Sequence, residues 1–184
     1  MKNETVLLII DIQNDYFEGG ANPLSGSFEA SLRAKEVLQY FRTSSHPVVH
    51  IQHIANRESA TFFVPNTFGV EIQENVKPID GEKVIIKHYP NSFRETELND
   101  YLESLGVKNV VVCGMMTHMC VDATVRAAKD LGYNITLIAD ASATKDLIFD
   151  NENASAKDVQ ASFLAALSYF YAEVIPASKY LNYK

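Results

Sequence analysis

The 184-residue sequence predicts an α/β fold, a three-layer α/β/α sandwich around a central, mostly parallel sheet. Three observations lead there. Short β-branched runs alternate along the chain with segments of helical periodicity. Those runs are continuously apolar, which suits strands covered on both faces. No internal repeat, low-complexity tract or linker interrupts them, so a single domain over residues 1–184 is expected.

The strands fall at 6–10, 48–52, 83–87, 109–113, 135–139 and 173–175. Between the first two, Ala30, Ala34, Val37, Leu38 and Phe41 recur at helical spacing after Ser27, whose hydroxyl suits an N-cap. Ser92 opens S-F-R-E, a capping-box pattern, and predicts a second helix closed after Leu105 by Gly106. A third helix is expected over 117–131, closed by Gly132, and Ala156, Val159, Phe163, Ala166, Leu167 and Phe170 mark a fourth. The irregular stretch 54–78 is too apolar for a tether; its Phe62, Phe63, Pro65 and Phe68 suit a lid or an oligomer contact. Strand–helix alternation implies right-handed crossovers, and in such sheets ligands bind beyond the carboxyl ends of the strands.

Composition narrows the function. With 47% hydrophobic and 21% charged residues the chain has the profile of an ordinary globular protein. A net charge of −7, with no Lys/Arg cluster, argues against nucleic acid as a ligand. The N-terminal apolar run 6–10 stops at Asp11 and is too short for a signal peptide or membrane span, so a cytoplasmic protein without membrane partners is expected. Cys113 and Cys120 fit neither a CxxC motif nor a disulfide scaffold and are expected to be free thiols.

Three polar residues stand at the carboxyl ends of predicted inner strands: Asp11 after V-L-L-I-I, Lys87 after V-I-I, and Cys120 just past V-V-V-C-G-M-M. A helix N-terminus and a nearby cation both favour thiolate, and Cys120 has access to both, so a lowered thiol pKa is expected. Backbone N–H groups of that first turn also offer donors to a developing oxyanion. On pattern alone other readings stay open: Asp11 capping a turn, Lys87 a solvated charge, Cys120 a buried apolar residue.

The stretch G-M-M-T-H-M-C-V-D-A-T-V-R-A-A, from Gly114, resembles the nucleophile segment of the isochorismatase-like cysteine hydrolases. The likeness extends almost end to end. L-L-I-I-D-I-Q-N-D-Y-F around Asp11 resembles the family's aspartate strand and P-N-T-F-G-V-E from Pro65 its central loop. K-H-Y-P-N-S-F-R-E-T-E-L from Lys87 is similar to its lysine segment, and I-A-D-A from Ile138 to the strand end that follows. The resemblance implies a Rossmann-like sandwich with Cys120 as nucleophile, Asp11 as the base accepting its proton, and Lys87 completing the triad. It also implies a cis peptide at Met115–Met116, with the backbone N–H groups of Met116 and Cys120 as oxyanion hole. The reaction implied is cleavage of a C–N amide bond in a small molecule through a thioester, with no cofactor.

His50 and His53 invite a metal hypothesis, but an odd separation on an extended strand sends them to opposite faces. The family's nicotinamidases carry Asp-x-His here and a further histidine downstream; this chain has Gln52-His53-Ile54-Ala55 and then no histidine until His88, so no metal site is expected. Phe93, His88 and His118, neighbours of the triad in sequence, are candidate pocket residues, while Arg126 is expected to be structural. Three competing readings stand beside the amidohydrolase. Vinyl ether hydrolysis needs no thiol; a binding protein can retain the fold without activity; a thiol redox sensor would need Cys113 as resolving partner. The resemblance and the aromatic loop also imply a homodimer or homotetramer whose neighbouring subunit contributes to the pocket.

Overall fold

The centre of the sheet is β1 (Thr5–Ile10), a strand apolar on both sides: Leu7 and Ile9 enter a first core, Val6, Leu8 and Ile10 a second. Its neighbour β4 (Asn109–Met115) divides the same way, Val110 and Val112 facing one core and Val111, Cys113 and Met115 the opposite one. Two cores separated by a sheet require helices on both faces. Helix α1 (Ser27–Thr43) covers the first core with Ala30, Ala34, Val37, Leu38 and Phe41, joined by Tyr180 of α5 (Ala177–Asn182). The second core is covered by Leu98 and Leu102 of α2 (Leu98–Leu105), Val125 and Ala128 of α3 (Asp122–Asp130), and Leu167 of α4 (Ala156–Phe170).

The computed structural model describes residues 4–182, so the first three and last two residues of the expected domain lie outside the described residues. With β2 (Val48–His53), β3 (Lys83–Lys87), β5 (Asn134–Ala143) and β8 (Glu173–Ile175), the sheet has six strands in the order β3-β2-β1-β4-β5-β8. All five pairings are parallel. The expected three-layer α/β/α sandwich is therefore found. A small antiparallel hairpin, β6 (Leu147–Phe149) with β7 (Glu152–Ala154), and helix α5 were not foreseen.

Several local expectations are corrected. Ser27 lies inside α1, its hydroxyl donating to the Leu24 carbonyl, and the left-handed Gly26 caps the helix instead. The helix expected from Ser92 begins only at Leu98. The Ser92 amide and hydroxyl engage Thr124, Thr96 donates back to the Ser92 carbonyl, and Glu95 has a left-handed φ of 54° that no helix tolerates. The third helix opens as a π-helical turn, Thr117–Val121, before α3. Finally, β3 is an edge strand, not an inner one: Val84 and Ile86 are exposed.

Candidate active site

Strand order reverses between β1 and β4, so the connections leaving their carboxyl ends diverge to opposite faces and open a crevice. Asp11 stands at the end of β1 with a left-handed φ of 49°, its N–H donating to the Ile51 carbonyl at 3.1 Å. Cys120 enters from the π-helical turn after β4. Gly114 allows the two strands to approach: its φ is 154°, and a Cβ there would lie 2.4 Å from the Ile10 carbonyl oxygen. The Met115–Met116 peptide is cis. Lys87, the last residue of β3, sits two strands away from β1, a gap of roughly 10 Å at ~4.8 Å per strand. Only a long side chain spans that, and Lys87 Nζ reaches 2.7 Å from Asp11 Oδ2 with both side chains fully buried.

The ammonium is held from several sides, donating to the carbonyls of Tyr89 (3.0 Å) and Pro90 (3.3 Å) and to His53 Nδ1 (3.1 Å). Burial works against its charge, but Asp11 and Cys120 outweigh it and raise the Lys87 pKa. Burial likewise raises the Asp11 carboxyl above its ordinary value, with Lys87 and the Cys120 thiol offsetting only part. Burial, then the charge of Asp11, raise the Cys120 thiol, against which Lys87 pulls the other way. This corrects the expectation of a lowered thiol pKa. Desolvation and the neighbouring carboxylate both favour the protonated thiol, whose sulfur lies within 4.8 Å of Asp11, itself paired with Lys87.

Above the cluster opens a cavity of about 620 Å³, lined by Tyr16, His53, Phe62, Phe63, His88 and Met119 among others, with Cys120 and Met116 at its base. Of the expected pocket residues, His88 lines it, its Nδ1 donating to the Ile54 carbonyl at 2.7 Å. Phe93 does not: it stacks on Tyr133 in the second core, 6.2 Å between ring centroids. His118 does not either; it turns to Thr144 Oγ1 at 2.5 Å and packs edge-on against Phe163 of α4. On the π-helical turn, His118 and Cys120 face different sides. Arg126 pairs with Asp122 and lies over the Tyr171 ring, away from the cavity.

Sequence reasoning missed His53, Gln13, Asp15 and Tyr16. His50 and His53 do diverge, His50 Nε2 meeting Glu82 at 2.8 Å, but His53 is in register with Lys87 on the neighbouring strand and so stands at the site. Burial, then the Lys87 charge, lower its pKa to about 3. The ring is neutral, and because an ammonium can only donate, its proton resides on Nε2. Buried Gln13 fixes this histidine's backbone, accepting from the His53 N–H (2.8 Å) and donating to the carbonyls of His53 (2.9 Å) and Val70 (2.7 Å). Asp15 accepts from the Phe63 N–H at 2.6 Å and the Ala21 N–H at 3.0 Å, pinning the aromatic loop; Gly69 leaves room for that carboxylate, which a Cβ would strike. Each of the four sits at or just beyond a parallel strand's carboxyl end, the criterion that singled out the triad.

Ligand atoms of Asp11, His53 and Cys120 lie within 4.8 Å of one another, close enough to share a metal ion. The donor set fits poorly, since the ammonium of Lys87 already engages both Asp11 and His53, and a second cation would have to displace it.

Known proteins share this frame. A profile of the isochorismatase domain matches residues 5–175. The uncharacterized isochorismatase family protein YddQ of Bacillus subtilis (strain 168) is 48% identical over 178 residues, covering 97% of this chain and 99% of that protein. Streptothricin hydrolase of Streptomyces noursei is 33% identical over 167 residues, covering 91% of this chain and 57% of that protein. The crystal structure of an isochorismatase from Pseudomonas putida KT2440 superposes with a TM-score of 0.90 at 36% identity, covering 96% of this chain and 90% of that one. Because the profile runs from the first residue of β1 to the last of β8, and a relative nearly half identical matches over essentially its full length, the chain belongs to the isochorismatase family of hydrolases.

Proposed function

We propose that this hydrolase cleaves a C–N amide bond of a small molecule, with Cys120 as nucleophile, Asp11 as acid–base and Lys87 as the positioning cation. The observation that carries the reading is the buried Asp11–Lys87 pair at 2.7 Å with the Cys120 sulfur within 4.8 Å of the same carboxylate, at the base of a cavity of small-molecule size. Asp11 takes the thiol proton as sulfur attacks the amide carbon. The C–S bond forms, and the carbonyl electrons move to an oxyanion received by the Met116 and Cys120 backbone N–H groups. Asp11 then returns the proton to the nitrogen, the C–N bond breaks, and ammonia or an amine departs. Water, deprotonated by Asp11, attacks the thioester; the acid leaves and sulfur recovers its proton. The raised carboxyl suits this role, since it makes Asp11 a stronger base than an exposed aspartate.

Lys87 never has to give up its proton. Its charge favours the ionised form of Asp11 against burial and faces the sulfur as the thiolate develops. Vinyl ether hydrolysis leaves the thiol without a task, and a binding protein would not need it. A redox pair with Cys113 is disfavoured because that residue is fully buried in β4 and faces the opposite core. The deciding experiment is ammonia release from a panel of small amides by the wild type and by Cys120→Ala at equal folded concentration. Release confined to the wild type is the expected result; equal release by the variant removes Cys120 as nucleophile.

A further inference from the structure

The cavity over Cys120 is electrostatically one-sided. No aspartate or glutamate is among its lining residues, and the Lys87 charge beneath it is matched by Asp11. At the rim stands Arg57, exposed, with no salt bridge or side-chain hydrogen bond among the described residues; neighbouring Glu58 does not line the space. The guanidinium is close enough to His53 to help lower its pKa. Its loop is braced: the Ala55 N–H donates to the Phe63 carbonyl at 2.9 Å, the Ala60 N–H closes a turn onto the Arg57 carbonyl at 3.0 Å, and Asp15 holds the Phe63 N–H. Between the rim and the sulfur the wall is aromatic, made by Tyr16, Phe62 and Phe63, whose rings lie 4.7 to 6.0 Å apart.

A guanidinium left without an internal partner at the mouth of a pocket without carboxylates supplies a planar fork of donors, the shape that fits a carboxylate. Apolar walls below it suit a short hydrocarbon spacer. Resting on the amide-hydrolase reading above, we propose that Arg57 is the specificity-determining residue of this site and that the substrate is a small amide bearing a carboxylate at the end remote from the scissile bond. A dianionic phosphate is a poorer fit, because one arginine at an open rim provides a single charge.

The test separates recognition from chemistry. Binding of ω-amidated carboxylates of graded length, malonamate to glutaramate, is measured by calorimetry on Cys120→Ala against neutral amides of the same length, and repeated with Arg57→Ala and Arg57→Lys added. The best carboxylate is expected to bind about 10-fold or more tighter than its neutral counterpart, as one charge-assisted bidentate contact at a partly solvated rim provides. Arg57→Ala should bring that ratio close to one, Arg57→Lys should retain part of it, and Arg33→Ala, removing a positive charge outside the pocket, should leave it intact. A ratio near one before any change at Arg57, absence of binding by every carboxylate, or a ratio that survives Arg57→Ala overturns the proposal. Turnover by the wild type is scored separately, so preferential carboxylate binding without hydrolysis would fail the amidase reading and spare the anion subsite.

Discussion

Lys87 reaches from the end of edge strand β3, across β2, to place its ammonium 2.7 Å from the Asp11 carboxylate, and neither side chain is open to solvent. Each charge is tolerable only because of the other. Lys87→Met is therefore expected to lose about 3 kcal/mol of stability, as a buried charge loses its partner, and to lower kcat/KM about 1,000-fold through loss of an acting unit. Denaturant unfolding and steady-state rates check both; a variant with wild-type turnover would remove Lys87 from the mechanism.

A resting thiol whose proton is held by burial and by Asp11 should react slowly with iodoacetamide at pH 7 and faster as pH rises. Asp11→Asn removes the carboxylate that raises the thiol pKa while Lys87 remains. The variant is expected to be inactive in hydrolysis yet alkylated faster at neutral pH than the wild type. Slower alkylation would mean that Asp11 activates the thiol in the free protein instead of restraining it.

On the acid side, the proposed mechanism requires Asp11 ionised, and its pKa is raised. The acid limb of kcat/KM should have its midpoint above the ordinary aspartate value of 3.8. An acid limb at or below that value, with no other group titrating in the rate, contradicts the assignment of Asp11 as base.

Opposite the active end, Glu82 accepts from Arg42 at 2.8 and 2.9 Å and meets His50 at 2.8 Å. Burial opposes its charge, but the Arg42 hydrogen bonds, the Ile79 N–H and His50 overcome it and lower the carboxyl from 4.5 to about 2. A depressed carboxyl contributes stability that is complete above its unfolded value and lost as pH falls through the folded one. The stability advantage of wild type over Glu82→Gln should thus be constant above about pH 5 and shrink from there toward pH 2. Melting curves across that window check it, a pH-independent difference being the contrary outcome.

Ile148 and Phe149, on the β6–β7 hairpin, are 77% and 86% exposed, and we propose that a second copy covers them in a homodimer or homotetramer. Light scattering should give a mass above one chain, reduced by Ile148→Ser with Phe149→Ser. A single-chain mass for the wild type rejects this.

The clustering of Asp11, Lys87 and Cys120 was legible because each follows an apolar run, and the ends of such runs meet at one edge of a parallel sheet. The edge position of β3 was not, since Val84, Ile85 and Ile86 look the same whether one face or two are covered. The residues at 92–97 satisfy a helix-start pattern, yet Ser92 is engaged by Thr124, thirty-two positions away, a contact no local pattern contains. Phe93 and His118 failed as pocket residues because adjacency in sequence does not fix the direction of a side chain. His53 was dismissed as half of a chelating pair when its place beside Lys87 was the informative fact.

An edge strand is secured along one flank alone, and among the described residues β3 has only β2 beside it. Opening such a margin costs less than dismantling the whole sheet. The cation that we propose positions the reacting groups thus sits on the part of the sheet that frays first. Warming or mild denaturant should silence the enzyme while its spectroscopic signature is still native, and turnover becomes a gauge of one seam in the protein, not of the molecule as a whole.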